Sequence, residues 1–130
     1  MKTELLWLVL VTAMTAVLWV PYILDRILRW GLLQAVGYPA NPPAQSPWAQ
    51  RLKAAHANAV ENLVVFAPLV LVAQATGVSD AATVLAAQAY FWARLVHAVS
   101  YALGIPWVRT LAFAAGVACQ LTFAARLLAH

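Results

Sequence analysis

The chain has 130 residues, of which 65% are hydrophobic and 9% charged, with a mean hydropathy of +0.80; soluble domains average roughly 45–50% apolar and about 25% charged. That composition excludes a water-soluble globule, and so little charge with only five glycines excludes disorder, coiled coil and collagen. Eight Lys and Arg against four Asp and Glu give a net charge of +4, which in a membrane chain serves orientation and anionic small molecules rather than nucleic acid.

A helix that crosses a bilayer uses about 20 residues, so four of them take roughly 80–95. The apolar runs are continuous, whereas strands of a membrane barrel alternate polar and apolar positions. The expected fold is therefore an all-α integral membrane domain, a four-transmembrane-helix up-down bundle over 1–130. Its helices are expected over about 5–29, 48–76, 81–103 and 106–128, with a loop over 30–47.

The first run, Leu5 to Leu24, is followed by Asp25, Arg26 and Arg29. It is too long for a signal-peptide core, carries Trp7, Trp19 and Pro21, and ends without a small-residue cleavage site, so it reads as a retained helix. Gly31, Gly37, Pro39, Pro42, Pro43 and Pro47 mark the long loop. The second helix ends at Thr76, and Pro68 is expected to kink it by freeing the carbonyl of Val64. Gly77 with Ser79 and Asp80 forms a short turn, one of the two polar residues capping the third helix. Gly104 stops that helix and Pro106 opens the fourth. Cys119, the single cysteine, has no internal partner and reads as a small buried residue.

Arg26, Arg29, Arg51, Lys53 and Arg109 flank the first and third connections, whereas the other side offers Lys2 and Arg126. The positive-inside rule puts those two connections in the cytoplasm and both termini away from it. Arg51 and Lys53 are expected among phospholipid head groups. Trp7, Trp19, Trp30, Trp48 and Trp107 read as interfacial anchors.

Two charges sit at membrane depth, where each costs about 2.5–3.5 kcal/mol on insertion scales. Glu61 lies ten residues past Arg51 and Arg94 ten residues before Gly104, which puts both roughly 15 Å from the same end of the bundle. Equal depth and opposite sign predict an ion pair. Asn58, Glu61 and Asn62 share one helical face, as do Arg94, His97 and Tyr101. These stripes could simply hydrogen-bond the bundle together, but the cations at this end outnumber the acids, and for Arg94 and Arg109 the surplus points to an anionic guest. Three histidines without a nearby cysteine or second carboxylate make no metal set, and neither a phosphate loop nor a catalytic triad is visible.

The run from Arg51 through His56, Asn58, Glu61 and Asn62 to Phe66 resembles the second-helix signature of the MAPEG superfamily, the membrane-associated proteins of eicosanoid and glutathione metabolism. Arg94-Leu-Val-His97-Ala-Val-Ser-Tyr101, followed by Arg109-Thr110, is similar to that family's third helix and the start of its fourth. The resemblance covers residues 47–128 and is of bacterial type. It implies a homotrimer that binds glutathione between subunits near the cytosolic face. It further implies that Asn58, Glu61, His97, Tyr101, Arg109 and Thr110 contact glutathione, that Arg94 supports the pocket, and that Arg29, with Arg26 as the alternative, comes from the neighbouring subunit's first helix. Arg109 and Thr110, in the first turn of the fourth helix, would carry the catalytic role by stabilising the thiolate. Glutathione-using relatives often carry arginines around the second-helix histidine where this chain has Ala54 and Ala57, and a proline where it has Val65.

Three functions are thus expected in order. The first is a trimeric bacterial inner-membrane enzyme, a glutathione transferase or peroxidase acting on small lipophilic electrophiles. The second, motivated by Ala54 and Ala57, is a non-catalytic lipid-binding or scaffold member of the same fold. The third is a small proton-coupled multidrug exporter, which needs a membrane carboxylate free to titrate.

Overall fold

A computed structural model describes residues 1–130 and is all-helical. α1 (Thr3–Val17) and α2 (Trp19–Trp30) form one rod, followed by a short α3 (Leu32–Val36), then α4 (Pro47–Thr76), α5 (Ala81–Leu103) and α6 (Pro106–Leu128). Thr3–Trp30, Pro47–Thr76 and Pro106–Leu128 are long and apolar enough to cross a membrane. α5 equals α6 in length but carries Gln88, Arg94, His97 and Ser100 and is not among those three.

The expected first helix is interrupted at Leu18, where the chain makes a tighter turn and the Leu18 N–H reaches the Thr15 carbonyl at 3.4 Å. Pro21 explains the break, since it lacks the N–H that would bond to Val17 and its ring crowds that carbonyl. Thr15, whose hydroxyl donates to the Val11 carbonyl at 2.7 Å, adds a bend-prone back-bond one turn earlier. Pro68, by contrast, sits within an uninterrupted α4. α3 occupies part of the segment expected to be loop, and none of its residues is buried.

α5 is the central helix and packs against α1, α4 and α6. Its buried face runs Thr83, Ala86, Ala87, Tyr90, Ala93, Arg94, His97 and Ala98, at the three-and-four spacing of a helical stripe. Opposite it, α4 buries Leu52, Ala55, Ala59, Phe66, Val70 and Ala73, whose alanines let backbones approach closely. Phe66 lies flat against Tyr90, with ring centroids 3.7 Å apart and planes 9° apart, and meets Phe123 of α6 edge-on at 5.6 Å. Cys119 belongs to this core as expected.

Polar contacts fasten both ends. At one end, the buried Glu4 accepts from Ser79 Oγ at 2.6 Å and Thr83 Oγ1 at 3.0 Å, tying α1 to the α4–α5 turn. There Asp80, one of the two expected candidates, caps α5 through the N–H groups of Ala82 and Thr83 and pairs with Arg126 of α6. At the other end, buried Asp25 accepts from the N–H of Ser46 at 3.0 Å and from its hydroxyl at 2.6 Å. Trp30 Nε1 donates to the Pro43 carbonyl at 2.7 Å. The proline-rich segment is thereby strapped to α2.

Candidate functional site

Arg94 is 2% exposed and is among the largest side chains buried in the protein. Its Nη2 donates to Asn58 Oδ1 at 2.7 Å and to His97 Nδ1 at 3.3 Å. Because a guanidinium only donates, Nδ1 of His97 is the acceptor and the ring proton belongs on Nε2. The Nε and Nη1 groups of Arg94 are buried with no partner. A buried cation with unsatisfied N–H groups and no neutralising acid carries an uncompensated cost of a few kcal/mol.

The expected Glu61–Arg94 ion pair is absent. Glu61 is exposed and takes part in neither of the two ion pairs, Arg29 with Asp25 and Arg126 with Asp80. The reason is azimuth. At 3.6 residues per turn, Glu61 points about 140° around α4 from Phe66, whose side chain is fully buried. Depth along the axis matched the two charges, but the direction of the side chains separates them. Asn58, one turn earlier, takes the place beside Arg94.

From Arg94 the polar series continues along α5 to the α5–α6 turn. The His97 and Tyr101 rings meet edge-on with centroids 5.6 Å apart. Arg109 of α6 lays its guanidinium over the Tyr101 ring, with Cζ 4.5 Å from the centroid, the attraction expected of a cation on an aromatic face. Asn58, Arg94, His97, Tyr101 and Arg109 are therefore assembled as one continuous series from three helices. Thr110 stands apart from it. Its hydroxyl is exposed and donates to the Pro106 carbonyl at 3.3 Å, leaving the oxygen's lone pairs free.

Arg51, expected among head groups, also bonds within the bundle. Its Nε donates to the Ala102 carbonyl near the end of α5 at 3.0 Å. With Tyr101, Gly104 and Arg109 it lines a cleft of about 260 Å³, into which no acidic residue projects. The cleft thus holds two arginines at the N-terminus of α6, whose free N–H groups also favour an anion.

Arg29, expected in a site between subunits, donates to Ser46 Oγ at 2.9 Å and lies 4.0 Å from Asp25, with half its side chain exposed. Within one chain it supports the strap. Arg26, the alternative, lies over the Trp30 ring and donates to Gln45 Oε1 at 3.4 Å. Asn62 turns toward α6, where Gln120 Nε2 donates to its carbonyl at 3.2 Å and to Oδ1 at 3.3 Å.

Sequence reasoning missed Arg51 as a site residue, although its basic side chain was visible. The carbonyl it satisfies belongs to a helix 51 positions away, a pairing no local pattern announces.

The cleft along Arg51 and Arg109 can bind an acceptor-rich anion and hold negative charge on a nucleophile near the start of α6, while Arg94 stays buried beside Asn58 and His97. The MAPEG family matches residues 9–129. Neither a curated protein nor a solved structure matches the chain. A match spanning nearly the whole sequence, on a chain whose helices are apolar enough for a bilayer, makes this protein an integral membrane member of the MAPEG family.

Proposed function

We propose that this protein is a glutathione transferase-like or peroxidase-like enzyme that activates a glutathione-type thiol for attack on lipophilic electrophiles. Membership of the MAPEG family supports a membrane glutathione-related or eicosanoid-type function at family level. The observation that carries the finer reading is Arg94, buried with Nε and Nη1 unpartnered beside Asn58 and His97. Together with Arg51 and Arg109 in the cleft at the α5–α6 turn, this surplus of donors fits a tripeptide bearing two carboxylates, since charge-assisted hydrogen bonds to a carboxylate are the strong ones.

Each residue has a task in this reading. Arg51 holds a carboxylate, and Arg94 supports the pocket from within by fixing Asn58 and His97. Arg109, fixed over Tyr101, and the N-terminus of α6 favour the ionised form of a thiol whose ordinary pKa is about 8.5. Thr110, the next residue of α6, stabilises the thiolate by turning its hydroxyl proton from the Pro106 carbonyl to the sulfur. The thiolate supplies the nucleophile, while the apolar outer faces of α4, α5 and α6 admit an electrophile from the bilayer.

Glu61 bears on assembly. An exposed carboxylate halfway along a membrane-crossing helix is expensive against lipid, and a neighbouring subunit relieves that cost. We infer a homotrimer in which Glu61 receives the ammonium group of glutathione and Arg29 approaches from the next subunit. In this reading all four long helical segments cross a bacterial inner membrane, with the α2–α4 and α5–α6 connections in the cytoplasm.

Ala54 and Ala57 are both exposed, so no cation stands at either place, and this favours as a second reading a lipid-binding member without catalysis. The case against a proton-coupled exporter can no longer rest on a Glu61–Arg94 pair. It rests on the family. Retention of isotope-labelled glutathione by the purified protein separates the first two readings. Saturable binding, weakened at least about tenfold by Arg94→Ala through loss of a charged hydrogen-bond donor, supports the enzyme; co-purified lipid that glutathione does not displace supports the alternative.

A further inference from the structure

Beside the strap, and apart from the Arg94 series, a cleft of about 490 Å³ opens between α2, the proline-rich segment and the start of α4. Its cations are Arg26 and Lys53, its floor is Trp30, and Pro42 and Pro43 form one wall. The geometry is built. Trp30 is fixed by its hydrogen bond to the Pro43 carbonyl, Arg26 lies 5.1 Å over the Trp30 ring, and Gln50 Nε2 donates to the Gln45 carbonyl at 2.7 Å.

What the cleft lacks is an acceptor for its charge. Arg26 has one long contact, to Gln45 Oε1, and neither it nor Lys53 joins an ion pair. Every acid in the chain is accounted for elsewhere. Glu4 and Asp80 lie at the opposite end, bound to Ser79, Thr83 and Arg126. Glu61 is eight residues beyond Lys53, roughly 12 Å along α4. Asp25, the nearest, has both oxygens occupied by Ser46 and Gln45.

The surroundings indicate what brings the missing negative charge. α2 and α4 belong to segments apolar enough to cross a membrane, so the cleft lies where those segments leave the hydrocarbon. Directly beyond Trp30, α3 exposes Leu32 by 60%, Leu33 by 84% and Val36 by 72%, an apolar edge next to a cationic cleft. That combination suits a molecule with an acceptor-only anionic head and a hydrocarbon tail.

We propose that the cleft is a binding site for an anionic phospholipid, with Arg26 and Lys53 on the phosphodiester and the apolar edge of α3 in the acyl boundary. Trp30 orients Arg26 and seats the glycerol region. With Arg29 as the first-helix arginine of the thiol site, this cleft serves a separate ligand and would exist in a catalytic or a non-catalytic member alike.

Native mass spectrometry of the purified full-length protein tests this with phosphatidylglycerol, phosphatidylcholine and inorganic phosphate as separate additions. The site predicts phosphatidylglycerol retained about tenfold over phosphatidylcholine, a preference of the size two near-surface cations give, and lost in Arg26→Gln/Lys53→Gln. Lys53→Glu, at an exposed position whose side chain joins no ion pair, should abolish the preference without affecting folding, and Arg26→Lys should retain more of it than Arg26→Gln. Equal retention of the two lipids, or a preference that survives the double substitution, would overturn the proposal. So would inorganic phosphate competing as well as phosphatidylglycerol, which would make this a free-phosphate site, or loss of oligomeric mass with lipid retention unchanged, which would make it a contact between subunits.

Discussion

Asp80 shows how one side chain couples this fold to pH. The hydrogen bond from Arg126 and then the N–H of Thr83 hold its carboxyl below the usual range, outweighing the opposing effect of burial. A depressed folded-state pKa contributes stability above the unfolded value of about 3.9, and that contribution is lost as pH falls through the folded value. Acidification from about pH 5 to about pH 3 should therefore lower the melting temperature of the wild type more than that of Asp80→Asn, which keeps a capping oxygen but no charge. Parallel curves in detergent would remove Asp80 from the account. The cap itself was legible in sequence, because Asp80 precedes an apolar run by one position. The Glu61–Arg94 pair was misread for an equally local reason. Spacing gives depth and relative azimuth within one helix, but which azimuth faces the bundle depends on all the neighbours, and Ala55, Ala59 and Phe66 claim that face of α4.

At the scale of elements, the α5–α6 turn does most to position the site. Gly104 ends α5 at a φ of +75°, and a Cβ there would lie 3.4 Å from Arg51 Cζ. Gly77 ends α4 at a φ of +74° with nothing within 4 Å. Each substitution to alanine should cost about 1 kcal/mol from the left-handed backbone. Only Gly104→Ala, at the turn that sets Tyr101, Arg109 and the Arg51 contact, should also reduce glutathione retention. Thermal melts paired with ligand binding check this, and equal binding losses in the two variants would contradict the role given to the turn. The long helices were readable from apolar runs bounded by glycine and proline. The break at Leu18 was signalled by Pro21 and overlooked, while α3 lies among so many turn formers that five helical residues left no periodic trace.

For the molecule as a whole, the charge count acquires a structural meaning. Half of the acids fasten the end at the α4–α5 turn, and Asp25 fastens the strap, so the cations at the opposite end are left for partners. The proposed partner is a neighbouring copy: native mass spectrometry should give a mass of three chains, and Glu61→Gln should weaken glutathione binding while that mass persists. A monomer that binds glutathione at full affinity would refute the shared site. The family was legible because its signature residues occupy two consecutive helices in order, whereas the interface was not, since exposed and buried residues on a membrane helix are drawn from the same apolar set. The central claim, that Arg109 and the start of α6 ionise a bound thiol, is tested most directly by titrating the purified protein with glutathione near neutral pH and following the ultraviolet absorbance of the thiolate. The account predicts a saturable thiolate band that disappears in Arg109→Ala; glutathione bound at saturation with no such band would contradict it.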